Sequence, residues 1–139
     1  MKLLFLLTFL FIQLIEYHPI PISNIQDPTE IIIDCNYTFE EAINGIEIPN
    51  SIIIQLTLVD VEYYSFDDQL HRGQIVINKK AVEDIKAIFD FIKTSRFPIA
   101  KVIPIVKYNW DDDTAMNEHN TTDFNYRKVK GSKVLSSRS

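Results

Sequence analysis

The sequence predicts an α+β fold in which one main helix packs on a mainly antiparallel sheet. Residues 52–64 and 70–78 are rich in aliphatic and β-branched side chains and flank a short polar turn, as in a β-hairpin. Residues 79–96 carry apolar side chains at three- and four-residue steps, as on one face of a helix. A further apolar segment at 99–108 predicts another strand, and the order strand, strand, helix, strand is typical of α+β domains.

Composition predicts a globular protein of at most one domain. The chain has 139 residues, of which 46% are hydrophobic and 24% charged, and its nine Phe, six Tyr and one Trp can form a core. The formal net charge of -5 argues against a nucleic-acid partner, which usually requires a basic footprint. The basic residues near the C-terminus are typical of a solvated tail: Arg127, Lys128, Lys130, Lys133 and Arg138.

The first 22 residues are predicted to be a signal peptide or an N-terminal anchor. Lys2 precedes an apolar stretch at residues 3–15, which Glu16 and Pro19 end. A secretory signal has an apolar stretch of about 7–15 residues, whereas a membrane span needs about 20. Export to the extracellular space or periplasm is therefore favoured. No small-x-small cleavage site follows, so membrane anchoring through residues 3–15 is the alternative.

Residues 23–49 are predicted to be a lead-in segment, with a loop-like approach over 17–37. Thr38 to Asn44 fits a short helix, with Thr38 as N-cap and Glu41 completing a capping box. The single cysteine, Cys35, excludes an intramolecular disulfide. Its isoleucine neighbours favour a buried thiol over a pairing with another chain.

Residues 50–139 begin with the hairpin. In the first strand Leu56, Leu58, Asp60 and Glu62 alternate with Thr57, Val59, Val61 and Tyr63, and residues 65–69 form the turn. Asn78 is the predicted N-cap of the following helix, and Pro98 ends it. The apolar residues on one face predict its buried side: Ala81, Val82, Ile85, Ile88, Phe89 and Ile92.

The last segments are less regular. Residues 99–108 are predicted to form a strand that bends or ends at Pro104, and Phe124–Val129 a short strand. The acidic residues Asp111, Asp112 and Asp113 lack the alternating spacing and the glycine of a calcium loop, so they indicate the first turn of a helix.

No motif with chemistry can be assembled from spacing alone. His18, His71 and His119 are widely separated and have no partner at a metal-ligand spacing. A structural, hydrogen-bonded role is favoured over a site role for His71, and more so for His119. Asn36 and Asn120 begin glycosylation triplets, which matter only in a eukaryotic secretory route. Neither a Gly-x-Ser-x-Gly elbow nor a phosphate-binding glycine loop occurs.

Several stretches together resemble one protein family. They are LVDVEYYSFD at 58–67, LHRGQIVIN at 70–78, RFPI at 96–99, YNWDDD at 108–113, DFNYR at 123–127 and GSKVLS at 131–136. In this order they resemble the D-alanyl-D-alanine carboxypeptidase family, in its VanY-like and L-alanyl-D-glutamate endolysin branch. The resemblance covers roughly residues 50–139, and it implies an incomplete Hedgehog/DD-peptidase-like fold.

The resemblance implies a zinc metallopeptidase that cuts cell-wall peptides. In the family the last stretch leads into Ser-x-His-x-x-Gly-x-x-x-Asp, whose His and Asp bind zinc, and a second His and an acidic general base follow. Ser136 fits the motif's serine, but Arg138 stands at the first ligand position and the other parts have no counterpart. Arginine has no lone pair to offer a metal, so we expect no zinc in this chain.

One functional position of the family matches this chain. Arg127 corresponds to the arginine that faces the substrate and steadies developing negative charge, although a surface salt bridge would explain it equally well. We expect a truncated, inactive peptidase that retains a contact to a peptidoglycan peptide. The alternative is a non-catalytic exported module that binds a cell-wall peptide or a protein.

Overall fold

The computed structural model describes residues 30–126. The predictions for residues 1–22, for His18, Arg127 and Arg138, and for the end of the 124–129 strand lie outside this range. Within it the chain is mixed α/β, with a small mixed sheet and few helices, as an α+β class predicts. No helix in residues 30–126 is long and apolar enough to cross a membrane.

The hairpin is the framework of the fold, as predicted. Strands β2 (Leu56–Tyr64) and β3 (Leu70–Asn78) pair antiparallel in unbroken register from Leu56 opposite Asn78 to Tyr64 opposite Leu70. Between them, the N–H of Ser65 donates to the carbonyl of Gln69 at 3.1 Å and closes the turn. The alternating pattern of β2 therefore divides its side chains between the two faces of the sheet.

Two short elements precede the hairpin. Residues Ile32–Ile33 form strand β1, which pairs parallel with β3 opposite His71 and Arg72, so the expected loop-like approach is wrong here. Two residues are too few to show a strand period, and their partner lies far along the chain. Helix α1 (Phe39–Ala42) begins at Thr38 with the predicted capping box to Glu41.

The first predicted strand begins later than expected. Residues Asn50–Ile53 form helix α2, in which the N–H groups of Ile52 and Ile53 donate to the carbonyl of Pro49 at 2.9 and 3.1 Å. A short apolar run does not distinguish a strand from a helical turn. Pro49 precedes this helix, and its ring fixes the backbone angle φ at a value that suits the start of a helix.

The main helix lies where its period predicts. A 3₁₀ turn (Lys79–Ala81) is capped by Asn78 and leads into α3 (Val82–Ser95), which ends at Arg96 in the left-handed conformation. Val82, Ile85, Phe89 and Ile92 pack on the sheet, whereas Ile88 is 49% exposed and does not belong to the buried face.

The strand after α3 is shorter than predicted, although it ends before Pro104 as expected. Only Lys101–Val102 form a strand, β4, and Pro104 precedes a 3₁₀ turn over Ile105–Tyr108. Ile105 and Tyr108 lie three residues apart on one side of that turn and are both buried. Helix α4 (Asp112–Asn117) and strand β5 (Asn120–Thr121) follow, and β5 pairs parallel with β4. Residues 124–126 are not a strand.

The sheet is covered on both faces. One cluster lies between the sheet and α3 and consists of Val61, Tyr63, Ile75, Ile77, Phe89 and Val102. The other lies on the opposite face and consists of Ala42, Leu56, Val76 and Phe124. The second cluster joins α1, the hairpin and residue 124, so the segment that leads to Arg127 is part of the core.

Candidate functional site

A buried histidine between two carboxylates is the most unusual group of side chains in residues 30–126. His71 lies near the start of β3, opposite Tyr63, and is 8% exposed. Its Nδ1 lies 2.9 Å from Asp34 Oδ1, and its Nε2 lies 3.1 Å from Asp67 Oδ2. Asp34 follows β1 and Asp67 lies in the hairpin turn. The imidazole therefore connects two segments that are 33 residues apart in sequence.

The geometry favours a charged ring. An ionised carboxylate only accepts hydrogen bonds, so both ring nitrogens must carry a proton to satisfy both contacts. Burial lowers the pKa of His71, but the hydrogen bonds to Asp34 and Asp67 outweigh burial and the pKa lies above 6.5. Burial raises the pKa of Asp67, but the N–H of Gln69 and the ring of His71 outweigh it and hold that pKa below 3.8.

Tyr63 links this group to the core. Its side chain is fully buried, its hydroxyl donates to Asp34, and the same oxygen accepts from the N–H of Val102 at 2.9 Å. Its ring stacks on His71 with centroids 5.9 Å apart. Burial, followed by the Asp34 carboxylate, raises the pKa of the phenol far above its ordinary range. Tyr63 therefore acts here as a neutral donor and acceptor.

Cys35 lies beside this group but is not an activated nucleophile. The thiol is half-buried, not fully buried as expected, and its Sγ lies 3.9 Å from the carbonyl oxygen of Val102. Burial raises its pKa to about 11. Since the thiolate is the reactive form, this environment argues against nucleophilic catalysis.

The described residues do not fit a zinc centre. In residues 30–126 no three His, Cys, Asp or Glu side chains converge on a point where they could hold a metal ion. Both nitrogens of His71 face carboxylates, so neither presents a lone pair to an open position. These residues offer a hydrogen-bonded ion bridge, and no chemical step through a metal can be built on them.

Residues that come shortly before Arg127 in the sequence line a polar pocket. It has a volume of about 210 Å³ and is lined by Asp112, Ala115, Met116, Asn120, Thr121, Thr122, Asp123 and Asn125. Asn125 is buried, and its Nδ2 donates to Asp112. Its Oδ1 is buried without a hydrogen-bond partner. Burial raises the pKa of Asp123.

Aromatic rings hold this segment in place. Trp110 meets Phe124 edge-to-face with centroids 6.3 Å apart, and Phe124 stacks on Tyr126 at 6.5 Å. The indole N–H of Trp110 donates to the carbonyl of Asn44 at 2.8 Å. Phe124 and Tyr126 are thus connected, through Trp110, to the loop after α1.

The acidic run has the predicted role. Asp111 caps α4 by accepting from the N–H of Asp113 at 3.3 Å, and it also accepts from the hydroxyl of Thr114 at 2.5 Å. Asp112 and Asp113 lie in the first turn of the helix. In the part of the chain that the structure describes, the three aspartates therefore form the start of a helix.

The remaining predicted residues lie apart from the His71 group. His119 has a positive φ of 55° and lines an apolar groove with Phe66 and Phe97. The side-chain amide of Asn120 donates to the carbonyl of Ile103 at 2.8 Å and accepts from its N–H at 3.0 Å. The side chain of Asn120 therefore links β5 to the segment that follows β4.

Sequence reasoning missed Asp34 and the role of Asp67. Asp67 stands four residues before His71, but it lies in a predicted turn and not in a helix, so this spacing gives no reason to pair them. Asp34 pairs with a residue 37 positions away. The one available signal is that Asp34 directly follows a strongly apolar run, Ile31–Ile33.

Comparisons with protein-family models, with curated proteins and with solved structures find no match to this chain. Its function must therefore be inferred from its residues and their geometry.

Proposed function

We propose that this chain is the N-terminal portion of a zinc-peptidase-type domain for cell-wall peptides, and that its own part is to hold the substrate through Arg127. Support comes from the resemblance of ordered stretches between residues 58 and 136. The assignment to a Hedgehog/DD-peptidase-like fold belongs to the same proposal.

The observation that supports it best is a contact between two of those stretches. Trp110 packs on Phe124, and Asn125 donates to Asp112, so residues 108–113 and 123–126 form one packed unit. Arg127 directly follows this unit in sequence.

The hairpin stretches are also consistent with the proposal. Residues 58–67 and 70–78 include most of the paired length of β2 and β3, and they contribute Val61, Tyr63, Ile75 and Ile77 to the main core cluster. Under this proposal the hairpin and α3 form a rigid support, and the functional residues come after them in the sequence. A rigid support is what a substrate-positioning residue requires.

The chemistry assigned to Arg127 is recognition of negative charge. A guanidinium group presents a planar fork of donors that matches a peptide carboxylate or a tetrahedral oxyanion. Arg138 stands where the resemblance places the first zinc ligand, and arginine has no lone pair for a metal, so the part that we propose for this chain is binding.

The test is calorimetric titration of the full chain with a synthetic cell-wall stem peptide that ends in D-alanyl-D-alanine. We expect saturable binding that Arg127→Ala weakens by about 10- to 100-fold, as the loss of a charge-assisted hydrogen bond predicts. Lys133→Ala is the matched control, since it removes one charge from the same basic run, and it should bind as the unmodified chain does. Absence of binding at millimolar peptide, or equal losses in both variants, would refute the role of Arg127.

A non-catalytic binding module is the second candidate. The observation that favours it is that residues 30–126 bury apolar clusters on both faces of the sheet, which a stable binding protein needs. The two candidates differ in stability, because an incomplete peptidase domain leaves sheet edges and apolar surface uncovered. Thermal unfolding of the full chain separates them: a cooperative melt at high temperature supports the module, and a broad melt at low temperature supports the incomplete peptidase domain.

A further inference from the structure

The bridge at His71 has two unequal ends. Asp34 is 14% exposed at its side chain and also receives the hydroxyl of Tyr63. Asp67 is 49% exposed and accepts from the N–H of Gln69 within its own turn at 3.0 Å. Water can replace His71 at Asp67 far more easily than at Asp34.

The difference in exposure between Asp34 and Asp67 determines which contact is lost when the ring loses its charge. A neutral imidazole keeps one N–H and turns a lone pair toward the other carboxylate. A buried carboxylate that loses a donor is more costly than an exposed one that rehydrates. The remaining proton therefore stays on Nδ1 with Asp34, and the contact between Nε2 and Asp67 is lost.

Asp67 belongs to a turn whose other attachments lie mainly at its first residue. The N–H of Ser65 donates to the carbonyl of Gln69, its carbonyl accepts from the N–H of Asp68, and its hydroxyl donates to the carbonyl of Ala100. Asp68 has a positive φ of 61°. Phe66, in the same turn, is 73% exposed and forms one wall of an apolar groove of about 400 Å³ with Phe97 and Ile99. The position of the turn therefore sets the width of this groove.

We propose that His71 is a pH-operated latch on the hairpin turn 65–69. The charged ring ties Asp67 to Asp34 and holds the turn closed, and loss of one proton from Nε2 frees the turn and the groove wall that Phe66 provides. The latch is closed in mildly acidic solution and opens as the pH rises.

Three other titratable groups around His71 keep their charge state in the same range. Those that the structure places against the ring, within residues 30–126, are Asp34 and Asp67, with Tyr63 stacked on it and Cys35 beside Asp34. Burial raises the pKa of Cys35 to about 11 and that of Tyr63 well above its usual range, so both stay neutral. The pKa of Asp67 is lowered, and it stays ionised.

The test is hydrogen exchange of the turn amides in the full chain, corrected for intrinsic exchange, between about pH 5.5 and about pH 8.5. The amides of Asp68 and Gln69 are hydrogen-bonded within the turn. We expect their protection to fall about two- to fivefold as His71 loses its proton, as for a half-exposed ion pair. Nitrogen chemical shifts of the ring should show the proton remaining on Nδ1.

Two variants of neighbouring residues separate the latch from a general effect of charge. In Asp67→Asn the amide can accept from the charged ring or donate to the neutral one, so protection should no longer depend on pH. Asp68→Asn removes the same charge from the same turn, and its pH dependence should match that of the unmodified chain. A flat profile in the unmodified chain, or an unchanged profile in Asp67→Asn, would overturn the proposal.

Discussion

Replacing Tyr63 with Phe removes one oxygen atom from the centre of the core. That oxygen donates to Asp34 and accepts from the N–H of Val102 at 2.9 Å, and both Tyr63 and Val102 are fully buried. The ring of Phe fills the same space, so no cavity forms. Tyr63→Phe thus isolates the hydrogen bonds that tie β1 and β4 to the hairpin.

The expected cost follows from the groups left behind. A buried N–H without an acceptor costs about 1–3 kcal/mol, and the lost bond to the Asp34 carboxylate adds to this. Since His71 still serves Asp34, the second contribution is partial, and we expect a total loss of about 2–4 kcal/mol in the free energy of unfolding. At about 4 °C or more per kcal/mol, the melting temperature should fall by at least about 8 °C.

Urea unfolding of the full chain measures this loss. Tyr64→Phe is the control: it removes the same atom one residue away, where the ring lies under Arg96 at 4.0 Å and would keep that contact. It should change stability by no more than about 0.5 kcal/mol. If the two variants were equally stable, with the same dependence on urea, the hydroxyl of Tyr63 would not hold these segments together.

Three further outcomes are expected. The raised pKa of His71 contributes stability that is complete below pH 6.5 and is lost as the pH rises through that pKa, whereas the lowered pKa of Asp67 contributes stability above pH 3.8 that is lost in acid. Urea midpoints should therefore be highest between these values, and a profile without this maximum would contradict the bridge. Gly73→Ala places Cβ 2.1 Å from the carbonyl oxygen of Val102 and should cost about 1–3 kcal/mol or more in thermal melts; an unchanged melt would show that β4 yields freely. Phe89→Ala should cost about 3–5 kcal/mol by urea unfolding, while Phe91→Ala, at a residue 72% exposed, should cost far less.

The parts of the fold that the sequence predicts are those governed by local rules. The hairpin follows from the alternation of side chains along its strands and from a polar turn, and α3 follows from the three- and four-residue steps of its apolar side chains. The starts of α1 and α4 follow from their capping side chains. In each case the residues that determine the element lie within it or next to it.

The errors occur where a distant partner determines the structure. Ile32–Ile33 become a strand only because β3 offers them an edge. Residues 105–108 form a turn in which Ile105 and Tyr108 pack in a cluster with Ala115 of α4. Ile88 fits the helical period but projects past the edge of the core. Apolar content alone does not reveal any of these outcomes.

The candidate site is the least predictable part, because it is made almost entirely of long-range contacts. Asp34 meets His71 across 37 residues, and Tyr63 meets Val102 across 39. The sequence shows His71 as a lone histidine for which a hydrogen-bonded structural role is favoured. The structure shows that its hydrogen-bond partners are the carboxylates of Asp34 and Asp67. Arg127, which the family resemblance singles out, lies outside the described residues, so its substrate contact stays a prediction.

The His71 bridge and the Tyr63 hydroxyl share one carboxylate, and this couples them. Asp34 accepts from both side chains, so removing either donor leaves the other to satisfy a largely buried charge alone. The cost of Tyr63→Phe should therefore grow as the pH rises, because the neutral ring still donates to Asp34 through Nδ1 but forms a weaker bond than the charged ring. Independent contributions would instead give a constant difference between the unmodified chain and Tyr63→Phe across the titration of His71.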